Sequence, residues 1–186
     1  MLLTSIEYLL VFILSVNIIY LLIFSIASHC PPKNQKIIVH VLNRIVILIP
    51  AYKEDQVVME CVNSCLTQNY PKEQYDIVVI SDQMQDSTLL KLEALPLKLI
   101  KVFFKDSTKA KALNYAMAEI GDNYDIAIIL DADNVVDSEF LLHINTSMNQ
   151  KGVEIVQAHR TAKNQNTKLA ILDAVSEEIN NSIFRL

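Results

Sequence analysis

Apolar stretches of strand length alternate with segments of helix length from residue 44 onwards, and this alternation constrains the fold more than any other feature. Strands that alternate with helices form βαβ units, which build a parallel sheet. We therefore predict an α/β fold with a mostly parallel, open sheet and helices on both faces. The predicted strands are 44–49, 76–81, 98–104, 125–130 and 153–158, and the predicted helices are 55–68, 87–94, 108–120, 138–149 and 168–184.

An uncharged apolar run covers residues 8–27, before the alternation begins. A helix of this length extends about 30 Å, which is enough to cross the hydrocarbon core of a bilayer. A signal peptide is the other interpretation, but no Lys or Arg precedes the run, which is also longer than the ~7–15 residues of a signal-peptide core. We predict a transmembrane helix at 6–28, a linker at 29–43 and one domain at 44–186.

The charges on either side of this helix predict its orientation. Only Glu7 precedes the run, whereas Lys33, Lys36 and Arg44 follow it. Positively charged flanks stay on the cytoplasmic side of a membrane. We therefore expect a single-pass protein of the inner or plasma membrane, with its domain in the cytoplasm.

The composition excludes several kinds of site. A formal net charge of −5 argues against a nucleic-acid partner, which requires a basic face. The only two glycines, Gly121 and Gly152, each follow a predicted helix, where a left-handed residue is favoured. Rossmann and Walker phosphate loops need several glycines close together, so a nucleotide must be held by side chains and a metal. Cys61 and Cys65 lack the companions of a zinc site and are interpreted as buried thiols.

Four polar clusters follow the first four predicted strands. In parallel strands these positions all lie at the carboxyl edge of the sheet, where open α/β sheets bind their ligands. The sequence therefore predicts that the four clusters meet in one crevice. The clusters are Pro50-Ala-Tyr-Lys-Glu54, Ser81-Asp82, Lys109-Ala-Lys-Ala-Leu-Asn114 and Asp131-Ala-Asp133.

The paired aspartates Asp131 and Asp133 are candidate metal ligands. They directly follow a strand that is apolar throughout, and ionised carboxylates are rarely buried without a partner. A hard divalent cation, Mg²⁺ or Mn²⁺, takes oxygen ligands and often shares them with a substrate phosphate. The alternative is a solvated turn in which Asp133 or Asp137 caps the next helix.

The four clusters, in this order, resemble the motifs of glycosyltransferase family 2, in particular its membrane-anchored members with the GT-A nucleotide-diphospho-sugar fold. Pro50–Glu54 is similar to the family's Pro-Ala-Tyr-Asn-Glu, and 78–82 with Asp86-Ser-Thr88 is similar to Val-Asp-Asp-x-Ser-x-Asp-x-Thr. Residues 109–114 are similar to Lys-Ala-Gly-Ala-Leu-Asn, and Asp131–Asp133 to the family's Asp-x-Asp. The resemblance extends from about residue 44 to residue 158.

The resemblance implies a nucleoside pocket formed by Pro50, Ala51, Tyr52, Glu54 and Asp82. Asp82 is expected to accept a hydrogen bond from N3–H of uracil, so that one carboxylate reads the base. The aromatic ring of Tyr52 offers an apolar face with a polar tip. Alternatively, Asp82 is a turn residue, and Glu54 and Tyr52 serve only as helix-start charge and packing.

The resemblance also implies a diphosphate site. Lys109 matches the family's lysine, and Lys111 replaces its glycine. Both begin a helix whose free N–H groups favour an anion. Asp133 is expected to bind the metal directly. Asp131 is expected to assist in binding the metal and the donor. The alternative for both lysines is solvated helix charge.

Two family motifs are absent from the sequence: the Thr-Glu-Asp that holds the catalytic aspartate, and the Gln-x-x-Arg-Trp of the acceptor side. The catalytic base is therefore expected beyond Leu186, and this chain alone is expected to be inactive. Ser176-Glu-Glu178 lies within a predicted helix and is not taken as the base.

We interpret the chain as the donor-binding part of a membrane-anchored, inverting, metal-dependent glycosyltransferase. It would transfer a sugar from a UDP-linked donor to a glycan or lipid acceptor, as in polysaccharide biosynthesis. One alternative is a non-catalytic, membrane-tethered nucleotide-binding fragment. Another is a sugar nucleotidyltransferase, which would normally show a glycine-rich activating loop after the first strand.

Overall fold

The computed structural model describes residues 2–28, 41–150 and 153–184. The chain divides into two compact units, residues 37–156 and residues 1–36 with 157–186. The predicted site residues all lie in the first unit, which contains the whole sheet. The helices are α1 (Leu2–Ser28), α2 (Val58–Leu66), α3 (Asp86–Glu93), α4 (Lys109–Ile120), α5 (Phe140–Met148) and α6 (Lys168–Phe184), and the strands are β1 (Ile45–Tyr52), β2 (Tyr75–Asp82), β3 (Lys98–Val102) and β4 (Ile126–Ile129).

The four strands form one sheet in the order β3-β2-β1-β4, with every pair parallel. β1 occupies the middle because residues 45–49 are apolar without interruption and are at most 1% exposed. β1 pairs with β2 along its whole length, up to Tyr52 opposite Asp82. Two candidate residues from separate motifs therefore end neighbouring strands side by side. The predicted parallel α/β sheet is confirmed.

Alternate residues of β1 face opposite sides of the sheet and enter separate cores. On one side, Ile45, Ile47 and Ile49 pack in a cluster with residues of α2, α3 and α5. On the other side, Val46 and Leu48 pack with α4. Helices therefore cover both faces, as predicted. Cys61 and Cys65 of α2 are fully buried as free thiols in the first cluster, which confirms their interpretation.

The predicted fifth strand is wrong. Residues 153–158 have no regular structure, and Ile155 is 89% exposed. A strand requires a neighbour that supplies hydrogen-bond partners, and within 41–150 and 153–184 no strand pairs with the open edge of β4. Val156 nevertheless packs against the first core cluster, so its apolar character reflects packing rather than pairing.

Both ends of α4 are fixed by local signals, of which the glycine at its end was predicted. Thr108 caps α4, since its side chain accepts a hydrogen bond from the backbone N–H of Lys111 at 3.2 Å. Gly121 ends α4 with φ 70° and ψ −166°, a conformation that is almost restricted to glycine. Gly152 lies outside the described residues.

In the second unit, α1 is long and apolar enough over Thr4–Ile26 to cross a membrane, by length and composition. Asn17 carries the one side-chain amide within Thr4–Ile26, and its Nδ2 donates to the carbonyl oxygen of Ile13 at 2.9 Å. This bond within the helix reduces the cost of placing an amide in an apolar span. Most of the predicted linker, 29–40, lies outside the described residues.

Candidate functional site

The loops after β1 and β2 are joined at the carboxyl edge of the sheet. The backbone N–H of Lys53 donates to the carbonyl oxygen of Asp82 at 3.2 Å, and that of Gln85 donates to Oδ1 of Asp55 at 2.9 Å. Lys53 and Gln83 both have positive φ, 57° and 55°. Such conformations of residues other than glycine cost on the order of 1–3 kcal/mol and cluster at binding sites. Both strands therefore end in a sharp turn at the same level.

Asp82 ends β2 and is only 2% exposed. Its Oδ1 accepts a long hydrogen bond from the backbone N–H of Phe104, at 3.5 Å. Its Oδ2 is covered and has no hydrogen-bond partner among the residues that the structure describes. A buried polar group without a partner costs ~1–3 kcal/mol, and more if it is charged. Asp82 is therefore a buried carboxylate that requires a further hydrogen-bond donor at this edge of the sheet.

Tyr52 lies beside Asp82 in the sheet, but its side chain is on the surface. The residue is 46% exposed, and the ammonium of Lys53 lies 5.0 Å from the centre of its ring. The aromatic ring of Tyr52 is thus accessible at the carboxyl ends of β1 and β2. Glu54 is exposed, and its carbonyl oxygen accepts from the backbone N–H of Val57 and Val58, in the turn that leads into α2.

Pro50 and Ala51 belong to β1 rather than to the loop, opposite Ile80 and Ser81 of β2. The pairing of β1 with β4 ends two residues earlier, at Leu48. A proline is tolerated at this point of a central strand because one side has already lost its partner. Ala51 is 2% exposed, so its side chain is packed in the core beneath this edge.

The two lysines at the start of α4 behave differently. The ammonium of Lys109 forms an ion pair with Oδ1 of Asp131, and both side chains are about half exposed. The structure therefore brings the predicted diphosphate residue and the first aspartate of the Asp-x-Asp together. The ammonium of Lys111 instead donates to the carbonyl oxygen of Asp106 at 2.7 Å, within the loop before its own helix.

The Asp131–Asp133 turn follows β4 directly. The carbonyl oxygen of Asp131 accepts from the backbone N–H of Asn134 at 3.0 Å and from the thiol of Cys61 at 3.6 Å. A hydrogen bond with Cys65, burial and the carboxylates of Asp133 and Asp131 all raise the pKa of the Cys61 thiol. Cys61 therefore stays protonated at neutral pH and remains a donor.

The oxygen donors at this turn suit a hard divalent cation. Asp133 is exposed, and Asp131 is half-exposed with an ammonium already bound. Across the described ranges, no group of three or more His, Cys, Asp or Glu residues could hold a metal ion. The two aspartates would therefore supply only part of a coordination shell. This fits Mg²⁺ or Mn²⁺, which commonly complete their shells with phosphate oxygens and water.

Two features of the site were not predicted from the sequence. One is the reversed φ of Lys53 and Gln83, since neither residue type favours it and only glycine or asparagine would have signalled it. The other is the loop after β3: Phe104 donates to Asp82 from its backbone, and its carbonyl oxygen accepts from Nε2 of Gln83 at 3.2 Å. Backbone contacts of this kind leave no mark on residue type.

Comparisons with known proteins agree with this geometry. The family described as "Glycosyl transferase family 2" matches residues 46–183. The chain is 25% identical over 154 residues to dolichyl N-acetyl-alpha-D-glucosaminyl phosphate 3-beta-D-2,3-diacetamido-2,3-dideoxy-beta-D-glucuronosyltransferase of Methanococcus voltae, covering 78% of this chain and 44% of that protein. It is 29% identical over 108 residues to poly(ribitol-phosphate) beta-glucosyltransferase of Bacillus spizizenii, covering 53% of this chain and 16% of that protein.

Among solved structures, the mannosyltransferase PcManGT of Pyrobaculum calidifontis, in complex with GDP-Man and Mn²⁺, has a TM-score of 0.59. The two sequences are 23% identical, and the match covers 72% of this chain and 41% of that one. At this identity the likeness shows a shared fold. The chain spans less than half the length of these relatives.

Proposed function

The chain belongs to glycosyltransferase family 2, and from this premise we propose that it is the donor-binding part of a membrane-anchored, inverting, metal-dependent glycosyltransferase. The donor is a nucleotide-diphospho-sugar, UDP-linked, and the acceptor is a glycan or a lipid. One observation carries the proposal: Asp82 is buried at the ligand-binding edge of the sheet with one carboxylate oxygen unpartnered within the described residues.

The state of Asp82 favours uracil over other bases. Its Oδ1 already accepts from Phe104, so one acceptor is open. Uracil presents a single ring N–H, which suits one open oxygen, whereas guanine presents two adjacent N–H groups and would require both. The pairing edge of adenine places an acceptor nitrogen next to its amino group and would meet the carboxylate unfavourably. Because Oδ2 is covered, the atoms that cover it must move before a base can reach it.

The positions proposed for the other parts of the donor follow from the elements next to Asp82. We place the nucleoside against the ring of Tyr52, beside Glu54, with Pro50 and Ala51 beneath it. The diphosphate lies towards the start of α4, where the N–H groups and Lys109 attract an anion. Lys111 reaches the diphosphate only if it leaves the carbonyl oxygen of Asp106.

Asp133, with Asp131, would hold Mg²⁺ or Mn²⁺ against the diphosphate. A bound divalent cation neutralises the negative charge that develops on the departing diphosphate. Lys109 must exchange its partner in this step, since it is paired with Asp131 in the ligand-free chain. The base that deprotonates the acceptor hydroxyl is not among the residues assigned here.

The names of the relatives support the class of ligand. PcManGT holds GDP-Man with Mn²⁺, which is a nucleotide-sugar and a divalent cation in the same fold. The Methanococcus protein acts on a dolichyl-linked sugar phosphate and the Bacillus protein on poly(ribitol-phosphate), so lipid-linked and polymeric acceptors both occur among relatives. Membrane anchoring is supported by the length and apolar composition of α1.

Calorimetry on the full chain tests the proposal with UDP, GDP and ADP, each with and without Mn²⁺. We expect UDP to bind best and only with Mn²⁺, because without the cation the two carboxylates repel the diphosphate by ~1–4 kcal/mol per charge pair at short range. Asp82→Ala should remove the preference for UDP, a loss of ~1–3 kcal/mol. Asp133→Ala should remove the dependence on Mn²⁺.

Asp76→Ala is the matched control, since it removes a carboxylate from the opposite end of the same strand. It should leave the affinity and the metal dependence unchanged. Binding of UDP that does not depend on Mn²⁺ would refute the metal site. Equal affinity for the three nucleotides would refute the role of Asp82. A sugar-transfer assay on the same sample is expected to show no turnover, and turnover would contradict the expected absence of the base.

A further inference from the structure

Polar side chains in α2 and just after it are turned inside the protein. Cys61 and Ser64 lie in α2, and Gln68 follows two residues after its end at Leu66. Cys61 is fully buried and Gln68 is 4% exposed, so these groups are removed from water and require partners. Asn69, the next residue, continues the row beyond the end of the helix.

Each member of this row has at least one partner in the segment 131–141, which begins with the Asp-x-Asp. The thiol of Cys61 donates to the carbonyl oxygen of Asp131, as described above. Oγ of Ser64 accepts from the backbone N–H of Val136 at 3.2 Å. The backbone N–H of Asn69 donates to the carbonyl oxygen of Ser138 at 2.7 Å.

Gln68 makes the most bonds of the row. Its Nε2 donates to the carbonyl oxygens of Asp137 at 2.7 Å and Ser64 at 3.0 Å, and its Oε1 accepts from the backbone N–H of Leu141 at 3.1 Å. The amide thus bridges the end of the Asp-x-Asp loop and the first turn of α5. A glutamine suits this position because it offers a donor and an acceptor on one planar group.

The segment has little regular structure. Residues 130–139 form only isolated turns, and β4 before them is four residues long and pairs with β1 alone in the described part of the chain. On its N-terminal side the segment is fixed by the buried side chains of Leu130 and Ala132 and by the ion pair of Asp131. Asp133 is exposed, and the backbone on its C-terminal side is held by the bonds from Ser64 and Gln68. These bonds therefore contribute to the position of Asp133 relative to Asp131.

We propose that Gln68, together with Ser64, is a positioning residue. It holds the Asp-x-Asp carboxylates in the orientation that binds the metal ion and the diphosphate. The inference rests on the function proposed above. Gln68 contacts neither carboxylate directly and acts through the backbone of the loop. Outer-shell partners of this kind change metal affinity by ~10–100-fold when they are removed, because the ligands lose their orientation.

The test compares Gln68→Met, which keeps the length of the side chain and removes its bonds, with Tyr70→Phe as the matched control. Tyr70 is also buried next to α2, but its hydroxyl donates to the carbonyl oxygen of Asn43 at 2.8 Å, away from the Asp-x-Asp segment. The full chain is titrated with UDP plus Mn²⁺ and with uridine, and Tm is measured for each variant.

We expect Gln68→Met to weaken Mn²⁺-dependent UDP binding ~10–100-fold and to leave uridine binding unchanged, since the nucleoside pocket lies on β1 and β2. Tyr70→Phe should lower Tm without changing either affinity. A folded Gln68→Met variant with wild-type affinity for Mn²⁺–UDP overturns the proposal, as does an equal loss for uridine.

Amide hydrogen exchange separates this inference from the proposed function. In Gln68→Met the amides of Leu141 and Val136 should exchange faster, whereas in Tyr70→Phe they should not. If the wild-type chain does not bind UDP with Mn²⁺, the proposed function fails. Equal exchange of these amides in the two variants overturns the positioning role, whatever the result of the UDP titration. If Gln68→Met does not fold, Ser64→Ala is measured in the same way; it removes the acceptor of Val136 and a bond from Oγ to the carbonyl oxygen of Cys61 within α2.

Discussion

At the scale of single residues, Asp82 is expected to lower the stability of the free chain and to strengthen the binding of UDP. Its covered Oδ2 has no partner within the described residues, so a neutral side chain of the same shape should be easier to bury. We expect Asp82→Asn to increase the free energy of unfolding of the ligand-free chain by ~1 kcal/mol or more while it weakens UDP binding. Urea denaturation and UDP titration measure the two effects. A variant that loses stability would show that Asp82 has a partner in the free protein.

Lys109 gives a second prediction at this scale: its replacement should raise the affinity for Mn²⁺ alone and lower the affinity for UDP with Mn²⁺. Its ammonium is paired with Asp131 in the free chain, so Lys109→Met should strengthen the binding of Mn²⁺ alone, by no more than the ~0.2–1 kcal/mol of an exposed ion pair. The same change should weaken UDP binding in the presence of Mn²⁺, because the diphosphate loses a positive neighbour.

Lys111→Met is the control for this pair of measurements, since the ammonium of Lys111 bonds to Asp106 rather than to Asp131. It should leave the affinity for Mn²⁺ alone unchanged. Electron paramagnetic resonance counts free Mn²⁺ directly and does not require activity. If both affinities fall in Lys109→Met, the lysine is not competing with the cation.

The positions of Asp82, Lys109 and Asp131 after three different parallel strands predicted that they lie at one edge of the sheet, and the ion pair of Lys109 with Asp131 brings two of them together. That pattern is visible in the sequence. It could not predict that Lys111 turns to its own loop, or that Gln68 holds the segment after β4. Both depend on where a flexible side chain finds a backbone oxygen, and that is decided by tertiary structure.

At the scale of elements, the end of α4 offers a clean test of backbone strain. Gly121 has positive φ, and nothing lies within 4 Å of the place where a Cβ would stand. Gly121→Ala should therefore lower stability by ~1–2 kcal/mol through its conformation alone. The neighbouring Glu119→Ala, on the exposed face of the helix, should change stability by less than ~0.5 kcal/mol. Urea denaturation of both variants measures the difference, and an equal effect would show that the turn relaxes without strain.

The strands show why part of the fold was predictable. β1 and β2 are apolar runs buried on both faces, and such runs are clear in a sequence. The stretch 153–158 is also mostly apolar, with Glu154 and Gln157 as its polar residues, but it has no neighbour to pair with in the described structure. Strand formation depends on the partner as much as on the residues, so composition could not distinguish the two cases.

At the scale of the whole molecule, the charges around α1 predict the topology of the chain. Because positive charge follows the span and only Glu7 precedes it, the residues after Lys33 should lie in the cytoplasm. A membrane-impermeant thiol reagent should therefore leave an engineered surface cysteine, Asp122→Cys, unlabelled in intact cells and label it after lysis. A cysteine placed at Thr4 serves as the reference for the opposite side. Labelling of Asp122→Cys in intact cells would contradict the orientation.

The order of the strands also fixes the order in which the site comes into existence during synthesis. β1, β2 and β3 adjoin one another in the sheet and leave the ribosome one after another, whereas β4 pairs with β1 across most of the domain. At roughly 5–20 residues per second, several seconds separate the emergence of Asp82 from that of Asp131. The strands that end in Tyr52 and Asp82 are therefore translated before the residues of the Asp-x-Asp exist. On the function proposed above, the residues assigned to the base would emerge from the ribosome seconds before those assigned to the diphosphate.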